Sequence, residues 1–216
     1  MEEIPYSNSD VAEAVQNMVT DEFLTKILGL EEPELVWRIS QAAEIRQVKK
    51  GQILFREGEK PGYVAILVRG IFRCFFLDLE GRDITDCLVW KCGESLMPGS
   101  DVQGPAPAST EALSDGEIFC LPVGELMVLL RQYPAVMELY SAFLLRSGEY
   151  HMEIKRVIYG YDAMERYQWF LGKYPGLIQM IPNRHVASFL NMTPVTLSRI
   201  RKQLREGARR EKSAGA

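Results

Sequence analysis

The spacing of apolar residues divides the chain into four segments with different periods. Residues 9–43 carry apolar residues at helical spacing, which predicts amphipathic helical patches. From about residue 44 to residue 122, short runs of Val, Ile, Leu and Phe alternate with glycines, as in a compact, turn-rich β domain. A long helix is predicted over 134–161, with Pro134 in its first turn, and two short helices joined by a tight turn are predicted within 182–204.

The long helix carries one continuous apolar stripe. Its members step by four and three residues for more than three heptads: Val136, Tyr140, Phe143, Ser147, Tyr150, Ile154, Val157 and Tyr161. Such a stripe can pack on the helix's own domain, but a stripe of this length between two domains favours a seam with a second copy of the helix. We therefore predict a symmetric homodimer.

The two short helices have the sequence features of a helix-turn-helix. Apolar residues give each helix an inward face: Val186, Phe189 and Leu190 in the first, and Leu197, Ile200 and Leu204 in the second. Between them, Asn191 tolerates the left-handed conformation that a tight reversal needs. Thr193 is then the predicted N-cap of the second helix, and Pro194 its first residue.

The outward face of the second helix is polar and basic. It contains Thr196, Ser198, Arg199, Arg201, Lys202 and Arg205. Residues 184–216 hold eight Lys and Arg against two Asp and Glu, a net charge of +6, whereas the whole chain has a net charge of −4. A basic helix face on an acidic body suits local contact with DNA phosphates, whereas a solvated tail would not need an N-cap and an apolar back.

Length and composition describe an ordinary globular protein. With 216 residues and 47% hydrophobic content, the chain can build one or two cores. No apolar run approaches the roughly 18 residues of a membrane span, and the N-terminus lacks the basic start and apolar stretch of a signal peptide. We therefore expect a cytoplasmic protein without a membrane partner.

Cysteine and histidine usage argues against metal and catalytic chemistry. The four cysteines lack CxxC spacing and are too scattered for a disulfide framework, so we expect buried free thiols and no metal site: Cys74, Cys87, Cys92 and Cys120. His151 and His185 are the only histidines, and neither has nucleophile–base spacing around it. We do not expect an enzyme.

Three stretches carry a resemblance to a known family. They are Lys50–Gly70 and Leu77–Asp83 in the β domain, and Met192–Lys202 in the helix-turn-helix. With the order of β domain, long helix and helix-turn-helix, they make the chain resemble the Crp/Fnr family of bacterial transcription regulators over about residues 30–206.

The resemblance implies an α+β fold with three parts. A jelly-roll-like β-roll of the cyclic-nucleotide-binding type, with N-terminal helices, would occupy residues 1–132, a dimerisation helix 133–161, and a winged-helix-type DNA-binding domain 162–216. It also implies a homodimer on a palindromic operator in double-stranded DNA, allosteric control by a small effector, and RNA polymerase as a candidate partner. A different class remains open, a nucleotide-binding regulatory module that acts through protein contacts, although the basic helix argues against it.

The resemblance places the effector site around Gly93, Glu94 and Ser95 and a later stretch that ends in Ser109 and Thr110. Relatives that bind cyclic AMP hold its phosphate with an arginine in that later stretch, but no arginine lies between Lys91 and Arg131 here. The missing charge-assisted bond should cost about 1.5–3 kcal/mol. Backbone amides and the two hydroxyls could still hold a phosphate, or these residues could serve ordinary turns. We predict an effector other than cyclic AMP.

Two further residues match effector-contacting positions of the long helix in the resemblance, His151 and Met152. A lone histidine on an amphipathic helix is more often a surface or core residue than a ligand, and both roles stay open, including a haem role. Redox sensing by Cys87 or Cys92 also stays open, although the spacing of the two cysteines gives no argument for it.

The DNA surface differs from that of familiar relatives. Where those place a base-reading arginine and glutamate, this chain has Pro194 and Val195. We predict that Arg199 contacts a guanine and that Val195 touches a thymine methyl group. The remaining predicted DNA-binding residues include phosphate contacts and further positions on the exposed face: Asn183, Thr193, Thr196, Ser198 and Lys202.

Overall fold

The computed structural model describes residues 20–214. The start of the first helical patch, with Val11, Val15 and Met18, lies outside the described residues. The chain separates into two compact units. One contains the described residues up to 74 together with 88–145, and the other contains 75–87 together with 146 onward.

The N-terminal elements are short helices followed by a series of strands. A turn of π-helix spans Phe23–Ile27. After it come α1 (Pro33–Ala42), β1 (Glu44–Val48), β2 (Ile53–Phe55), β3 (Tyr63–Arg69), β4 (Phe72–Leu77), β5 (Asp83–Val89), β6 (Ser109–Ala112), β7 (Gly116–Pro122) and α2 (Val123–Gln132). The predicted turn-rich β domain is confirmed.

The described strands form two sheets, with strand orders β1-β7-β3 and β2-β6-β4-β5. β7 pairs antiparallel with both β1 and β3, and β2 pairs antiparallel with β6. Two glycines allow a close approach where β3 ends and β7 begins. A Cβ on Gly116 would lie 2.5 Å from the carbonyl oxygen of Arg69, and Gly70 has φ +120° with the Cα of Gly116 only 3.0 Å from where its Cβ would be. Larger residues do not fit at either position.

A hydrophobic cluster ties the helices of the first unit to β3 and β7. The amphipathic helix α1 buries Leu35, Val36 and Ile39 in it, as its apolar spacing predicts. The ring of Phe23, from the π-helical turn, stacks on that of Phe119 in β7, with centroids 5.4 Å apart. Each such large side chain contributes about 1.5–3 kcal/mol on burial, so these contacts hold the N-terminal segment on the sheet.

The second unit is mainly helical. Helix α3 (Pro134–Gly160) begins in the first unit and enters the second at residue 146. It is followed by α4 (Ala163–Lys173), α5 (Leu177–Met180), α6 (Asn183–Phe189) and α7 (Pro194–Ala214). Helix α7 therefore continues past Gly207, because the residues after Gly207 are mostly good helix formers. None of the described helices is both long enough and apolar enough to cross a membrane.

A capping box begins α4, and a cluster of aromatic rings forms the core of the helical unit. Asp162 and Glu165 form a capping box at the start of α4, with the Asp162 carboxylate accepting from the Glu165 amide at 2.9 Å. Four aromatic rings then pack together in the core of the unit: Trp169, Phe170, Tyr174 and Phe189.

Most of the apolar stripe that we predicted as the dimer seam packs within the chain. Val136 and Val157 are buried, Tyr140 and Phe143 pack on the cluster of the first unit, and the Tyr150 hydroxyl lies 2.8 Å from that of Tyr174, whereas Ser147 and Tyr161 are exposed. The buried residues of the stripe are therefore not accessible to a partner helix. Helix α3 is apolar on two faces, and the face that stays exposed carries Met137, Leu144, Leu145, Met152 and Tyr159.

The cysteines are free thiols, as predicted, but one of them is not buried. Cys74, Cys87 and Cys120 are buried, whereas Cys92 is exposed in the turn after β5. The prediction for Cys92 was wrong because this residue lies in a turn and not in a strand that packs on the core.

Cys120 gives the first testable prediction, a loss of stability at alkaline pH. Burial raises the pKa of its thiol from 9.0 to about 11. In the unfolded chain the thiol ionises near pH 9, while in the folded protein it keeps its proton, so the free energy of unfolding should fall between about pH 9 and 11. Denaturant unfolding across this pH range measures the slope. Cys120→Ala should show a smaller slope, and an unchanged slope would contradict the assignment.

Candidate nucleic-acid interface and effector site

The turn between α6 and α7 has the geometry that its sequence predicted. Asn191 has φ +49°, in the left-handed region. The amide of Met192 donates to the carbonyl of Ala187 at 2.9 Å, which closes the end of α6. The predictions of a left-handed Asn191 and of a tight helix-turn-helix reversal are confirmed.

Thr193 caps the second helix, also as predicted. Its Oγ1 accepts a hydrogen bond from the Thr196 amide at 3.1 Å, and the two hydroxyl oxygens lie 2.9 Å apart. Helix α7 begins at Pro194. The cap satisfies an amide that would otherwise lack a partner and is worth about 1 kcal/mol. It also places both hydroxyls at the positive end of the helix dipole, where a phosphate binds well.

Helix α7 separates an apolar face from a polar one. Leu197 and Ile200 are buried, with relative exposures of 1% and 7%, while Val195 is 60% exposed. Four other predicted DNA-binding residues of the helix are also exposed: Pro194, Ser198, Arg199 and Lys202. The structure therefore presents the predicted base-reading residues together on one accessible surface.

Asn183 is hydrogen-bonded to Arg201, a residue that the sequence did not predict to contact DNA. Its Oδ1 accepts a hydrogen bond from Nη1 of Arg201 at 2.7 Å, across the two helices. Arg201 therefore stands beside the predicted phosphate contact and adds a positive charge there. Only its basic character signalled this, because the partner lies 18 residues earlier in the chain.

Residues 75–87, here called the hairpin arm, pack within the same unit as the helix-turn-helix. The arm comprises the end of β4, the turn and most of β5. Ser188 of α6 donates its hydroxyl hydrogen to the carbonyl of Asp83 at 2.9 Å and accepts from the amide of Thr85 at 2.8 Å. At the turn, hydrogen bonds from the amide and guanidinium of Arg82 hold the pKa of the Asp78 carboxyl below its usual value.

The hairpin arm also contacts helix α3 through His151. The Nε2 of this ring lies 3.1 Å from a carboxylate oxygen of Asp86, and Nδ1 lies 2.8 Å from the carbonyl oxygen of Ser147. Both oxygens are acceptors, so the ring can donate to both only when both of its nitrogens carry a proton. A haem or ligand role for His151 would require breaking one of them. Its predicted companion Met152 is exposed.

The Gly93–Glu94 pair forms a turn that the chain itself stabilises. Gly93 has φ +83°, and a Cβ there would lie 2.9 Å from Cγ2 of Ile27 in the N-terminal segment. The Glu94 carboxylate accepts from the Lys91 amide at 3.1 Å and lies 3.4 Å from the Trp90 amide. A ribose bound by Glu94 would have to compete with these amides.

The predicted hydroxyl ligands likewise have partners within the first unit. Ser95 accepts from the Met97 amide at 3.2 Å, and Ser109 accepts from the Glu57 amide at 3.0 Å. Thr110 is fully buried and donates to the Leu96 carbonyl at 3.1 Å. The Thr110 bond uses its hydroxyl hydrogen and favours the turn-chemistry alternative for that residue. Ser95 and Ser109 act as acceptors in their bonds, so these bonds do not decide between a turn and an anion site.

A buried ion pair in the β domain was missed at the level of sequence. Arg73 of β4 is only 3% exposed, and its Nε and Nη2 lie 2.8 and 2.7 Å from Oε2 of Glu111 in β6. The only signal was an arginine inside the apolar run of β4. This guanidinium is buried and its charge is compensated by Glu111, unlike an arginine exposed to receive a phosphate.

Comparison with known proteins agrees with this architecture. Residues 45–133 match the family model of the cyclic nucleotide-binding domain. FixK2 from Bradyrhizobium japonicum superposes with a TM-score of 0.70 at 20% identity, covering 77% of this chain and 86% of that chain. A protein from Eubacterium rectale assigned to the Crp/Fnr family of transcriptional regulators gives 0.64 at 17% identity, with 82% and 85% covered. The chain has the Crp/Fnr fold.

The resemblance is thereby confirmed at the level of the fold. A third similar structure, that of the c-di-GMP responsive global regulator CLP from Xanthomonas campestris, gives a TM-score of 0.66 at 13% identity, with 82% of this chain and 93% of that chain covered. Among curated protein sequences, none matches the chain significantly.

Proposed function

We propose that this Crp/Fnr-fold protein is a homodimeric, DNA-binding transcription regulator controlled by a small effector other than cyclic AMP. The observation that carries the proposal is helix α7, which is N-capped by Thr193, buried through Leu197 and Ile200, and exposed along its basic side. A helix with these properties after a left-handed Asn191 turn fits the recognition helix of a helix-turn-helix.

The exposed side of α7 offers separate residues for base contacts and for phosphate contacts. Arg199 offers a planar guanidinium for O6 and N7 of a guanine, and Val195 offers an apolar surface for a thymine methyl group one helical turn away. Asn183, Thr193 and Thr196 would position the backbone phosphates, with Arg201 bonded to Asn183 and adding positive charge. Ser198 and Lys202 complete the exposed surface.

The exposed face of α3 supports dimerisation. Met137, Leu144, Leu145, Met152 and Tyr159 fall on one side of the helix at about 100° per residue, opposite the stripe that packs on the chain itself. Gly148 lies among them with nothing within 4 Å of a Cβ built there, which suits a close approach of two helices. A symmetric pair would present its two α7 helices to half-sites about 34 Å apart.

The state of the β domain supports an effector other than cyclic AMP. No arginine lies between Lys91 and Arg131, Thr110 donates its hydroxyl hydrogen to the Leu96 carbonyl, and Arg73 faces Glu111. CLP has the same fold and is described as c-di-GMP responsive, so cyclic AMP is not the only effector compatible with this fold.

The proposed function also assigns roles along the chain. Residues 1–132 would sense the effector, 133–161 would form the dimer, and 162–216 would bind DNA, with RNA polymerase as a further partner at the promoter. An effector controls such a protein only if it binds one dimer geometry better than the other.

Arg199→Ala tests the base-reading part of the proposal. We expect a loss of about 1–3 kcal/mol of discrimination at one base pair of the operator, because the guanine contact is removed. Competition binding with operators mutated at each position in turn measures it. As a control, Arg205→Ala on the same helix should weaken binding to all sequences alike. An equal loss on operator and random DNA for Arg199→Ala would contradict base readout.

A further inference from the structure

A side chain of the helix-turn-helix hydrogen-bonds to backbone groups of β5 in the hairpin arm. In the described sheet β2-β6-β4-β5, β5 is a terminal strand. The carbonyl of residue i and the amide of residue i+2 point to the same side of a strand. Ser188 bonds to such a pair, the carbonyl of Asp83 and the amide of Thr85, as a neighbouring strand would.

The same strand holds helix α3 through its next residue. Asp86 follows Thr85, and its carboxylate accepts from Nε2 of His151 on α3 at 3.1 Å. The hairpin arm is therefore bonded to α6 through Ser188 and to α3 through His151. The turn at its tip is itself held by Asp78, whose Oδ1 accepts from the amides of Glu80 and Arg82, both at 2.9 Å.

This docking leaves the recognition helix accessible. Val195 and Arg199 remain exposed on α7 while Ser188 of the preceding helix is bonded to the arm. The contact therefore orients the helix-turn-helix without covering its DNA-facing residues.

We propose that Ser188 is a positioning residue for DNA binding, which fixes the helix-turn-helix relative to α3 through the hairpin arm. The inference rests on the proposed dimeric DNA-binding function. In a dimer built on α3, a fixed orientation holds the second recognition helix over the second half-site and raises its effective concentration there. Loss of the contact should then weaken binding to two half-sites and spare binding to one.

The test compares an operator with two half-sites and a duplex with one, using the full-length dimer at one salt concentration. For Ser188→Ala we expect a loss of about tenfold or more on the two-half-site operator and a change within about twofold on the single half-site. Ser188→Thr keeps the hydroxyl and should restore binding. Ser100→Ala, a serine in the other unit, should leave both affinities unchanged.

Two further measurements separate positioning from general destabilisation. Amide exchange at Thr85 should accelerate in Ser188→Ala while the aromatic cluster of the unit keeps its protection. Asp86→Ala removes the acceptor for His151 and should also lower the affinity for the two-half-site operator relative to that for the single half-site. This variant replaces Ser188→Ala in the test if Ser188→Ala does not fold.

The outcomes distinguish this inference from the proposed function. If the wild-type protein binds neither duplex, the DNA-binding function itself is wrong. If the wild-type protein binds both duplexes and Ser188→Ala keeps the wild-type ratio, or binds the operator more tightly, the positioning role is wrong.

Discussion

The double variant Leu145→Glu/Met152→Glu is expected to be monomeric and to bind a two-half-site operator at least about 100-fold more weakly than the wild type. Both side chains are exposed, 70% for Leu145 and 52% for Met152, so the change costs the fold of the single chain little. In a dimer, however, four carboxylates would face each other across an apolar seam. Desolvating them without partners would be strongly unfavourable. Sedimentation velocity and operator binding measure the two effects.

A matched double variant on the hairpin arm provides the control for this prediction. Leu77 and Leu79 are also exposed apolar residues, but they lie outside α3. Leu77→Glu/Leu79→Glu adds the same charge and should stay dimeric. A dimeric Leu145→Glu/Met152→Glu protein would show that the exposed face of α3 is not the seam.

Glu111→Gln is expected to lower the free energy of unfolding by about 3 kcal/mol, because it leaves the buried guanidinium of Arg73 without its carboxylate. Glutamine has the same shape, so the loss reports charge and hydrogen bonding more than packing. Chemical denaturation at neutral pH, with the m-value checked for two-state behaviour, gives the difference.

The control for this prediction is a similar pair at the surface. Glu117 pairs with Arg69, whose side chain is 61% exposed, and Arg69 holds the pKa of the Glu117 carboxyl below its usual value. Glu117→Gln should cost less than about 1 kcal/mol, since exposed pairs contribute little. Equal losses in the two variants would contradict the role assigned to the burial of Arg73.

Features set by neighbouring residues were predictable from the sequence. The left-handed Asn191, the Thr193 cap and the start of α7 at Pro194 each depend on backbone sterics or on hydrogen bonds within a few residues. The inward face of α7 followed from the spacing of Leu197 and Ile200 in the same way. The helix-turn-helix was therefore the part of the candidate site that the sequence described best.

Features set by distant residues were not predictable. Two apolar stripes run along α3, and only the fold decides that Val136 and Val157 pack inward while Leu145 stays exposed. The bonds from Ser188 to the hairpin arm join residues about a hundred positions apart, with no pattern in the chain to mark them. The hydroxyls of Ser109 and Thr110 matched a ligand site by position, but their bonding partners come from other segments.

In-vitro selection from randomised duplex DNA, with purified protein at one fixed salt concentration and with or without cyclic AMP, tests the central claim most directly. We expect the protein to enrich an inverted repeat whose half-site centres lie about 34 Å apart, and to do so equally in both conditions. Enrichment only with cyclic AMP would contradict the assignment of a different effector, and the absence of any enriched sequence would contradict a DNA-binding regulator.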